Sequence, residues 1–559
     1  MTQYSLKPEG ERMDMQFEGI CRDAKGRPFA CSYIDGHFVS TPKDSGHFPV
    51  FNPANGNVIG TAYGELPVSV RDIEESARLA QKTWFHDVGE KEKERVFEVV
   101  RADHEKRRGP LAHTMIGEGG KLPKWADAEI TEGDHTITHY HGEHSRYETH
   151  AGLRRAQTPG RITGSIRKPW GIVLGITPWN FPDAVPAWKI YGSLAGGNAI
   201  VVKDAEQTPF TLTIVVESIR NAIREVVRDS GRQKKLAGLV QLIHGDGKIG
   251  ARLVQDLEYD KVAFTGSAET GKWIAGECGK RLKPCHMELG GHAAIVVLDD
   301  YDLQRAAHEI VNACFGDSGQ RCVTDRVVFA QESVAETLIT CVMNLARART
   351  LCMGDPRNFK TEMGPLISKE QLMRVHAQVV ATESAIKDLS GHGALAMGGA
   401  IHPLSKETGG YYYPPTVFVD VPYGVTAMDE EIFGPVLVIN RLPGKTRAEA
   451  LENAVRLVNQ SRYGLSNALL TNDLALAMRS PWLFESGIFY IRRGTTGAEV
   501  NTDFGGVKKS GWGREGRGLD AWTQTMQVTI DTNEHMSMAQ VGDDEAVMRM
   551  FEHSRSPLD

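Results

Sequence analysis

The sequence predicts an α/β protein built around a doubly wound, mostly parallel sheet. Between residues 169 and 289, short runs of Val, Ile, Leu and Ala alternate with longer stretches whose apolar residues recur at helical spacing. The short runs are almost continuously apolar, as expected of strands that helices cover on both faces. Turn residues, above all Gly and Pro, separate the two kinds of segment. Together these observations favour repeated strand–helix units that build a parallel sheet.

The predicted elements follow one another in two series. Strands are predicted over residues 171–177, 198–203, 239–244 and 261–265, and helices over 211–227, 251–257 and from about 269. The second series begins at residue 293, with a strand over 294–298 and a helix over 303–315, and continues to about 502. A last strand is predicted over 525–531, and the polar, Met-rich tail after it shows no recognisable role.

Length and composition indicate an ordinary globular protein of two or more domains. At 559 residues the chain exceeds one typical domain. Its formal charge of −7, from 64 basic and 71 acidic side chains, gives no reason to expect a nucleic-acid partner. Eight cysteines without a CxxC pair favour a reducing compartment and argue against a structural metal. The sequence shows neither a secretion signal nor the ~20-residue apolar run of a membrane helix, so we expect a cytoplasmic protein without a membrane partner.

Two chemically reactive residues stand in unusual Gly-rich surroundings. Cys322 lies in Gly-Gln-Arg-Cys-Val, among polar residues rather than the aliphatic ones that usually surround a core cysteine. Because polar or electropositive surroundings raise the thiolate fraction, we expect Cys322 to be nucleophilic. Glu288 precedes two glycines in Met-Glu-Leu-Gly-Gly. A nucleophile and a general base are what a reaction needs when it forms a covalent intermediate and then hydrolyses it.

Gly-rich turns after the predicted strands favour a nucleotide site. Gly245, Gly247 and Gly250 match the dinucleotide glycine pattern between a strand and a helix, although the acid expected about 20 residues later is missing. Gly266 and Ser267 open a second helix, and helix N-termini attract phosphate. Two ordinary turns between strand and helix are the competing interpretation.

Two further polar segments follow predicted strands. Lys203 and Glu206 stand at the carboxyl edge of a strand, where α/β sheets bind ligands and where Lys and Glu can pair with ribose hydroxyls. Asn180, in Pro-Trp-Asn-Phe-Pro, is held between prolines, and its side-chain N–H is a candidate oxyanion donor. Taken singly, these residues are better explained as a solvated loop pair and a capping or turn asparagine.

Taken together, these segments resemble the aldehyde dehydrogenase superfamily. The matching motifs follow the family's order between about residues 34 and 530: Pro178-Trp-Asn-Phe-Pro182, Lys203-Asp-Ala-Glu-Gln-Thr-Pro209, Phe264-Thr-Gly-Ser267, Glu288-Leu-Gly-Gly291, Gly319-Gln-Arg-Cys322, Glu431-Ile-Phe-Gly-Pro435 and Phe504-Gly-Gly506. The resemblance implies an aldehyde dehydrogenase-like fold with a doubly wound, Rossmann-like NAD-binding domain (1–153 and 169–287) and an α/β catalytic domain (288–502). It also implies a β oligomerisation arm (154–168 and 520–535), followed by a C-terminal tail (536–559).

The resemblance also implies roles for individual residues. Cys322 would be the nucleophile, Glu288 the general base, and Asn180 with the Cys322 backbone N–H the oxyanion hole. The implied coenzyme is NAD, with NADP less favoured, and the implied assembly is a homodimer or homotetramer. The coenzyme-binding set carried over from the family comprises Ile176, Thr177, Pro178, Trp179, Lys203, Glu206, Gly245, Gly250, Phe264, Gly266, Ser267, Leu289, Glu431 and Phe433.

The C-terminal motifs resemble those of two branches of the family, and both branches oxidise amino-acid semialdehydes. Residues 495–500 and 513–522 are similar to the α-aminoadipate semialdehyde branch, and residues 487–493 to pyrroline-5-carboxylate (glutamate semialdehyde) dehydrogenases. We therefore expect such a substrate, bound through its charged end by a loop that runs from Arg492 and Arg493 to Glu499. The residues assigned to the substrate are Phe181, Arg321, Arg492, Gly497, Ala498, Glu499 and Phe504.

Three alternatives stay open at this point. A broad-specificity aliphatic or aromatic aldehyde dehydrogenase would leave Glu499 without a recognition role. A CoA-acylating enzyme would pass the acyl group to CoA, whereas Glu288 favours water as the acceptor. A non-catalytic structural or binding member of the fold is disfavoured by the presence of Cys322, Glu288 and Asn180.

Overall fold

The computed structural model describes residues 16–23, 25–39, 46–147, 152–157, 160–389, 393–516, 518–532, 544–554 and 556. The strands are short, as the brief apolar runs predict. They are β1 Ile20–Arg22, β2 Pro28–Ala30, β3 Ser32–Ile34, β4 His37–Val39, β5 His47–Phe51, β6 Val58–Tyr63, β7 Arg154–Arg155, β8 Arg161–Pro169, β9 Ile172–Ile176, β10 Ala199–Lys203, β11 Val240–Ile243, β12 Lys261–Thr265, β13 Cys285–Glu288, β14 Ala293–Val297, β15 Asp325–Gln331, β16 Ala394–Met397, β17 Thr416–Val419, β18 Val436–Leu442, β19 Tyr463–Gly464, β20 Ser466–Leu470, β21 Ile488–Ile491, β22 Val507–Lys508, β23 Gly511–Trp512 and β24 Thr523–Asp531.

The helices alternate with these strands over most of the chain. They are α1 Val70–His86, α2 Glu90–Lys106, α3 Arg108–Gly119, α4 Pro123–Tyr147, α5 Ala184–Ala195, α6 Pro209–Val226, α7 Ser230–Lys235, α8 Gly247–Asp256, α9 Ala268–Lys280, α10 Leu303–Phe315, α11 Glu332–Leu351, α12 Lys369–Asp388, α13 Pro403–Thr408, α14 Thr426–Asp429, α15 Arg447–Val458, α16 Leu474–Arg479 and α17 Asp544–Glu552. Within the described ranges, no helix is both long and apolar enough to cross a membrane.

The first large sheet confirms the doubly wound α/β prediction. Its strand order is β23-β13-β12-β9-β10-β11-β3-β4, and the five strands from β13 to β11 pair in parallel. Of the five parallel strands, β9 comes first in the chain. The next two, β10 and β11, are added on one side of β9, and β12 and β13 are then added on its other side. A topological switch point therefore lies between β9 and β12, and sheets of this kind bind ligands outside the carboxyl ends of such strands.

The C-terminal part of the chain returns to this first sheet. The short strand β23 pairs antiparallel with β13 and lies outside the predicted domain ranges. Trp522 is fully buried; its indole N–H donates to the Tyr140 hydroxyl at 3.1 Å, and its carbonyl accepts from the Asn198 side chain at 2.8 Å. Truncating a buried Trp costs ~3–5 kcal/mol. The C-terminal segment that contains β23 and Trp522 thus packs as part of the first sheet and its helices.

The second large sheet carries the other half of the molecule. Its order is β16-β17-β18-β15-β14-β20-β21, and only the edge strand β16 runs antiparallel within it. Its two faces bury separate apolar clusters, one under α12 and α15 and one under α10 and α11. Apolar residues on both faces explain why these strands read as continuous hydrophobic runs.

The predicted arm is a three-stranded sheet with the order β24-β8-β7. Strands β24 and β8 pair antiparallel over nine residues. Several large apolar side chains on this sheet are exposed, including Met526 at 42% and Ile530 at 44%. Segments from both predicted arm ranges pair in this sheet, and their role in oligomerisation stays a prediction.

Candidate active site

Glu288 is the last residue of a regular strand at the carboxyl edge of the first sheet. It pairs in register with Thr265 of β12, and its carbonyl accepts from the Gly266 N–H at 3.0 Å. The side chain is buried, and neither carboxylate oxygen has a hydrogen-bond partner among the described residues. Burial raises the pKa of Glu288 well above its usual value, and the Glu515 carboxylate adds to the rise. A buried carboxyl with a raised pKa is typical of a general base.

Cys322 follows a strained loop that starts at the end of α10. Asp317, Ser318 and Gly319 have φ angles of 52°, 54° and 72°, three left-handed residues in succession. The Arg326 guanidinium holds this loop, because it donates to the Gly319 carbonyl at 2.8 Å and to the Gly434 carbonyl at 2.7 Å. Strain of this kind persists only where surrounding contacts enforce it, and it is concentrated at functional sites.

The Cys322 thiol is less acidic than its polar neighbours in the sequence predict. Burial raises its pKa to about 12, and the carboxylates of Glu431 and Glu288 raise it further. The prediction that the surroundings raise the thiolate fraction is therefore wrong for this structure, because burial and two acidic groups outweigh the polar loop. The side chain still keeps part of its surface open.

Asn180 contacts the loop that precedes Cys322. Its side-chain amide donates to the Gln320 carbonyl at 2.9 Å, two residues before Cys322. Gln320 is anchored in turn, because its side-chain oxygen accepts from the Ile367 N–H at 2.9 Å. The amide group has a second hydrogen to donate. Its role as an oxyanion donor stays a prediction.

Cys322 and Glu288 line a single cavity of about 510 Å³. Four aromatic side chains contribute to its walls: Trp125, Phe181, Trp188 and Phe504. Charged or titratable side chains of both signs complete it: Glu129, Glu132, His135, Arg321, Arg493, Glu499 and Glu515. The structure therefore brings together a nucleophile, a candidate base and a mixed-charge substrate chamber.

Six of the seven predicted substrate residues line this cavity, and Arg492 does not. The six are Phe181, Arg321, Gly497, Ala498, Glu499 and Phe504. Arg492 follows the end of β21 with a φ of 62°, and its carbonyl accepts from the Tyr301 hydroxyl at 3.1 Å. Its neighbour Arg493 lines the cavity instead, and its guanidinium donates to the Thr496 carbonyl at 2.8 Å. The assignment is corrected from Arg492 to Arg493.

Arg321 lies against two of the cavity's aromatic rings. Its guanidinium carbon is 4.3 Å from the centre of the Trp125 ring and 5.5 Å from that of Phe181. Its Nε atom is buried and has no hydrogen-bond partner in the described part of the chain. A stacked guanidinium with an unused donor, one residue before the nucleophile, is suited to bind an anionic group.

Several of the predicted coenzyme residues lie at the carboxyl ends of β9, β10 and β12 in the first sheet. Lys203 ends β10, with its ammonium 3.6 Å from a carboxylate oxygen of Glu206. Ile176 ends β9, and the next residue, Thr177, donates its N–H to the Lys203 carbonyl at 3.1 Å. The hydroxyls of Thr177 and Thr265 are buried, and neither has a partner among the residues that the structure describes. Unpaired hydroxyls at the carboxyl ends of β9 and β12 are donors that a bound ligand can satisfy.

The Gly245–Gly250 run forms a capped turn rather than an open anion site. The carboxylate of Asp246 accepts from the N–H groups of Lys248 and Ile249, at 2.9 and 3.3 Å, and so occupies the start of α8 itself. Gly250 faces the aliphatic stem of Lys203, where an added Cβ would lie 3.8 Å from the nearest side-chain carbon. Gly245 and Gly250 remain predicted coenzyme residues. In the structure, Gly250 lies next to the side chain of Lys203.

The remaining coenzyme residues predicted from the family resemblance either make side-chain contacts or are buried. The rings of Trp179, beside Pro178, and Phe433 meet edge to face at 5.5 Å. Glu431 accepts from the Gly291 N–H at 3.1 Å, and burial raises the pKa of Glu431 to about 7. Phe264 and Leu289 are buried beneath the edge of the sheet, and the Ser267 hydroxyl caps α9 by accepting from the Thr270 N–H at 3.2 Å.

Sequence reasoning missed a polar cluster beneath Glu288. The Lys189 ammonium donates to a carboxylate oxygen of Glu515 at 2.6 Å, and both side chains are buried. His286 lies beside them, with its Nε2 atom 3.2 Å from Glu288 Oε1 and 3.7 Å from Glu515 Oε1. A lysine inside the otherwise apolar stretch 184–195 was the available signal, because buried lysines need a partner. Nothing local distinguishes Glu515.

Comparison with known proteins identifies the relatives of this chain. Residues 40–529 match the model of the aldehyde dehydrogenase family. A betaine aldehyde dehydrogenase of Cereibacter sphaeroides is 30% identical over 526 residues, which cover 90% of this chain and 98% of that protein. Among solved structures, an NAD-dependent aldehyde dehydrogenase from Sinorhizobium meliloti superposes with a TM-score of 0.81 at 27% identity, covering 92% of this chain and 97% of that chain. Lactaldehyde dehydrogenase from Escherichia coli superposes with a TM-score of 0.80 at 28% identity, covering 90% and 99%.

Proposed function

The chain belongs to the aldehyde dehydrogenase family, and on that premise we propose that it oxidises an amino-acid semialdehyde to the carboxylic acid with NAD. The observation that carries this proposal is a single cavity lined by Cys322, Glu288, Arg321 and Glu132. The first two residues supply covalent chemistry, and the last two supply opposite charges for the far end of the substrate.

The reaction begins with addition of the Cys322 sulfur to the aldehyde carbon. Burial raises the pKa of Cys322 to about 12, so the thiol must release its proton to solvent before its sulfur adds. The new S–C bond turns the carbonyl oxygen into an alkoxide. Asn180 Nδ2 and the Cys322 backbone N–H are the proposed donors to it, and one such donor is typically worth ~10²–10³ in rate.

The switch point of the first sheet has the features that a dinucleotide requires. Bound NAD would supply the acceptor for the hydride that leaves the substrate carbon. The unpaired hydroxyls of Thr177 and Thr265 lie where α/β sheets bind such ligands. Glu206 can accept from ribose hydroxyls, and its negative charge disfavours a 2′-phosphate, so we infer that NAD is preferred over NADP. The neighbouring Lys203 softens this preference because it adds a cation.

Hydrolysis then releases the acid. The oxidised substrate is held as a thioester on Cys322, and Glu288 takes a proton from water as the water oxygen bonds to the thioester carbon. The C–S bond breaks, the Cys322 thiolate leaves, and the carboxylic acid is free. The raised pKa of Glu288 suits this step, because a stronger base accepts the water proton more readily.

The charged groups of the cavity support a substrate with both an anionic and a cationic group. Arg321 offers an unpaired donor for a carboxylate. Burial raises the pKa of Glu132 to about 7, with Glu129 adding to the rise and Arg321 opposing it. A substrate ammonium beside Glu132 would favour its ionised form and gain an ion pair in a partly buried setting. Glu499 is exposed at the rim, so it contributes less than the predicted loop pairing assumed.

Betaine aldehyde is the second candidate substrate. The aromatic walls of the cavity and the similarity to a betaine aldehyde dehydrogenase favour it, because aromatic faces attract quaternary ammonium groups. The Arg321 guanidinium, however, already lies over Trp125 and Phe181. A second cation would meet repulsion there, which is why we favour the zwitterionic semialdehyde.

A panel of aldehydes tests the choice of substrate. We expect kcat/KM with NAD to be highest for glutamate or aminoadipate semialdehyde, lower for succinate semialdehyde, and lowest for betaine aldehyde and hexanal. The matched variants are Arg321→Gln and Glu132→Gln. Arg321→Gln should lower kcat/KM for carboxylate-bearing aldehydes about 10–100-fold more than for hexanal, since a charge-assisted hydrogen bond is worth ~1.5–3 kcal/mol. A preference for betaine aldehyde, or equal losses on all substrates, would reject the proposed substrate.

A further inference from the structure

His286 lies on the same strand as Glu288, two residues earlier, so both side chains point to the same face of the first sheet. Its Nε2 atom lies 3.2 Å from Glu288 Oε1. His286 Nε2 and both oxygens of Glu288 are buried, and within the described ranges none of them has an aligned hydrogen bond. A donor atom and an acceptor atom at this separation need only a small rotation to pair.

The imidazole is held in place from two sides. The ring stacks on the indole of Trp522, with 11° between the planes and 6.4 Å between the centres. On another side lies Gly513, whose φ is 97° and where an added Cβ would come within 2.6 Å of His286 Nδ1. The ring therefore cannot turn away from Glu288 without a change in its packing.

The neighbouring charges determine what this imidazole can do. Glu515 already accepts from the Lys189 ammonium at 2.6 Å and lies 3.7 Å from His286 Nε2, so Glu288 is the better acceptor for an imidazole N–H. Lys189 in α5, Lys261 in β12 and Arg514 after β23 face the ring and oppose its protonation. Burial and these three cations lower the pKa of His286 well below its usual value. The ring is thus a neutral donor rather than a cation.

We propose that His286 is a positioning residue for the hydrolytic step: its neutral imidazole donates the Nε2 hydrogen to the Glu288 carboxylate, orients it towards the Cys322 thioester and keeps it ionised. No proton leaves the imidazole during the reaction; the proton taken from water goes to Glu288. The proposal rests on the proposed function, because it assumes that Glu288 is the base of thioester hydrolysis.

The test uses two variants of nearly equal shape that differ in the donor. His286→Gln keeps an N–H group at a similar reach, and His286→Met fills the space without one. Removing the donor raises the pKa of Glu288, and a base acts only when deprotonated, so the acidic limb of the hydrolysis pH profile should move to higher pH. For His286→Met we expect a displacement of about one pH unit, which is about a tenfold lower hydrolysis rate on that limb. His286→Gln should restore most of it.

Stopped-flow measurement separates this effect from a general structural one. We expect the rapid burst of NADH to be retained in both variants while only the later, steady rate falls in His286→Met. A pH limb that is unchanged in His286→Met, or displaced equally in His286→Gln, would overturn the proposal. If His286→Met does not fold, as judged by its thermal melt, His286→Leu replaces it with the same expected outcome. Glu288→Gln is the reference: if it leaves steady turnover unchanged, the proposed role of Glu288 fails rather than that of His286.

Discussion

The two proposed catalytic residues are held by opposite kinds of backbone. Glu288 ends a regular parallel strand, paired residue for residue with β12, and its position follows from the register of a buried sheet. Cys322 follows three left-handed residues in a loop that the Arg326 guanidinium holds to the Gly434 carbonyl. The comparison teaches that the base is positioned by many cooperative contacts and the nucleophile by a few specific ones. Changes in the loop should therefore disturb catalysis at a smaller cost in stability.

The side-chain environments differ in the same way. A buried polar cluster of His286, Lys189 and Glu515 lies beneath Glu288. Cys322 has no such cluster among the described residues, and two carboxylates raise its pKa. Buried neighbours affect both groups: Glu515 raises the pKa of Glu288, and Glu431 and Glu288 raise the pKa of Cys322. Two single substitutions and one matched pair sharpen this contrast.

The largest effect is expected from Cys322→Ala. Removing the sulfur abolishes covalent addition, so aldehyde oxidation should fall by at least ~10³-fold while dinucleotide binding is retained. Fluorescence titration with NADH and steady-state assays measure the two properties on the same sample. Substantial turnover in this variant would remove Cys322 from the role of nucleophile.

Glu288→Gln should have the next largest effect. Hydride transfer precedes hydrolysis, so we expect a burst of NADH followed by a steady rate about 10²–10³-fold lower than in the parent protein. Stopped-flow absorbance at the NADH band measures both phases. Loss of the burst together with the steady rate would instead place Glu288 in the addition step.

A matched pair of glycine substitutions tests the loop that precedes Cys322. We expect this pair to have the smallest effect of these substitutions. Gly319 (φ 72°) and Gly424 (φ 93°) are both left-handed, but only at Gly319 would an added Cβ meet backbone, 2.3 Å from the Gly434 carbonyl oxygen. Each alanine should cost ~1–2 kcal/mol of stability from the left-handed conformation. Gly319→Ala should in addition lower kcat about tenfold, because the cysteine loop must shift.

Kinetics and denaturant midpoints of both variants check this pair. Equal kcat values for Gly319→Ala and Gly424→Ala would show that the loop does not position the nucleophile as described. A large loss of stability in Gly319→Ala without a change in kcat would contradict the expectation that the loop affects catalysis more than it affects stability.

Much of the fold was predictable because its signals are local. The apolar runs that predict strands at 171–177 and 261–265 correspond to β9 and β12, and the helix predicted over 303–315 is α10. Periodicity reports such elements because a buried strand and an amphipathic helix each impose their own spacing. The four-stranded sheet β1-β2-β6-β5 was not predicted, since its strands are short and its central β2–β6 pair joins Phe29 to Thr61, which are far apart in the sequence.

The sequence by itself determined the candidate chemical groups: Cys322, Glu288 and Asn180 were proposed from their own short motifs, and the structure brings Cys322 and Glu288 to one cavity and Asn180 to the cysteine loop. Only the tertiary structure decided how those groups are tuned. The raised pKa of Cys322 comes from burial and from carboxylates distant in sequence, and Arg493 rather than Arg492 lines the cavity. His286 acquires a role only when β13 places it between Glu288 and Trp522. Electrostatic environment depends on neighbours in space, and those neighbours are defined by packing rather than by any local pattern of residues.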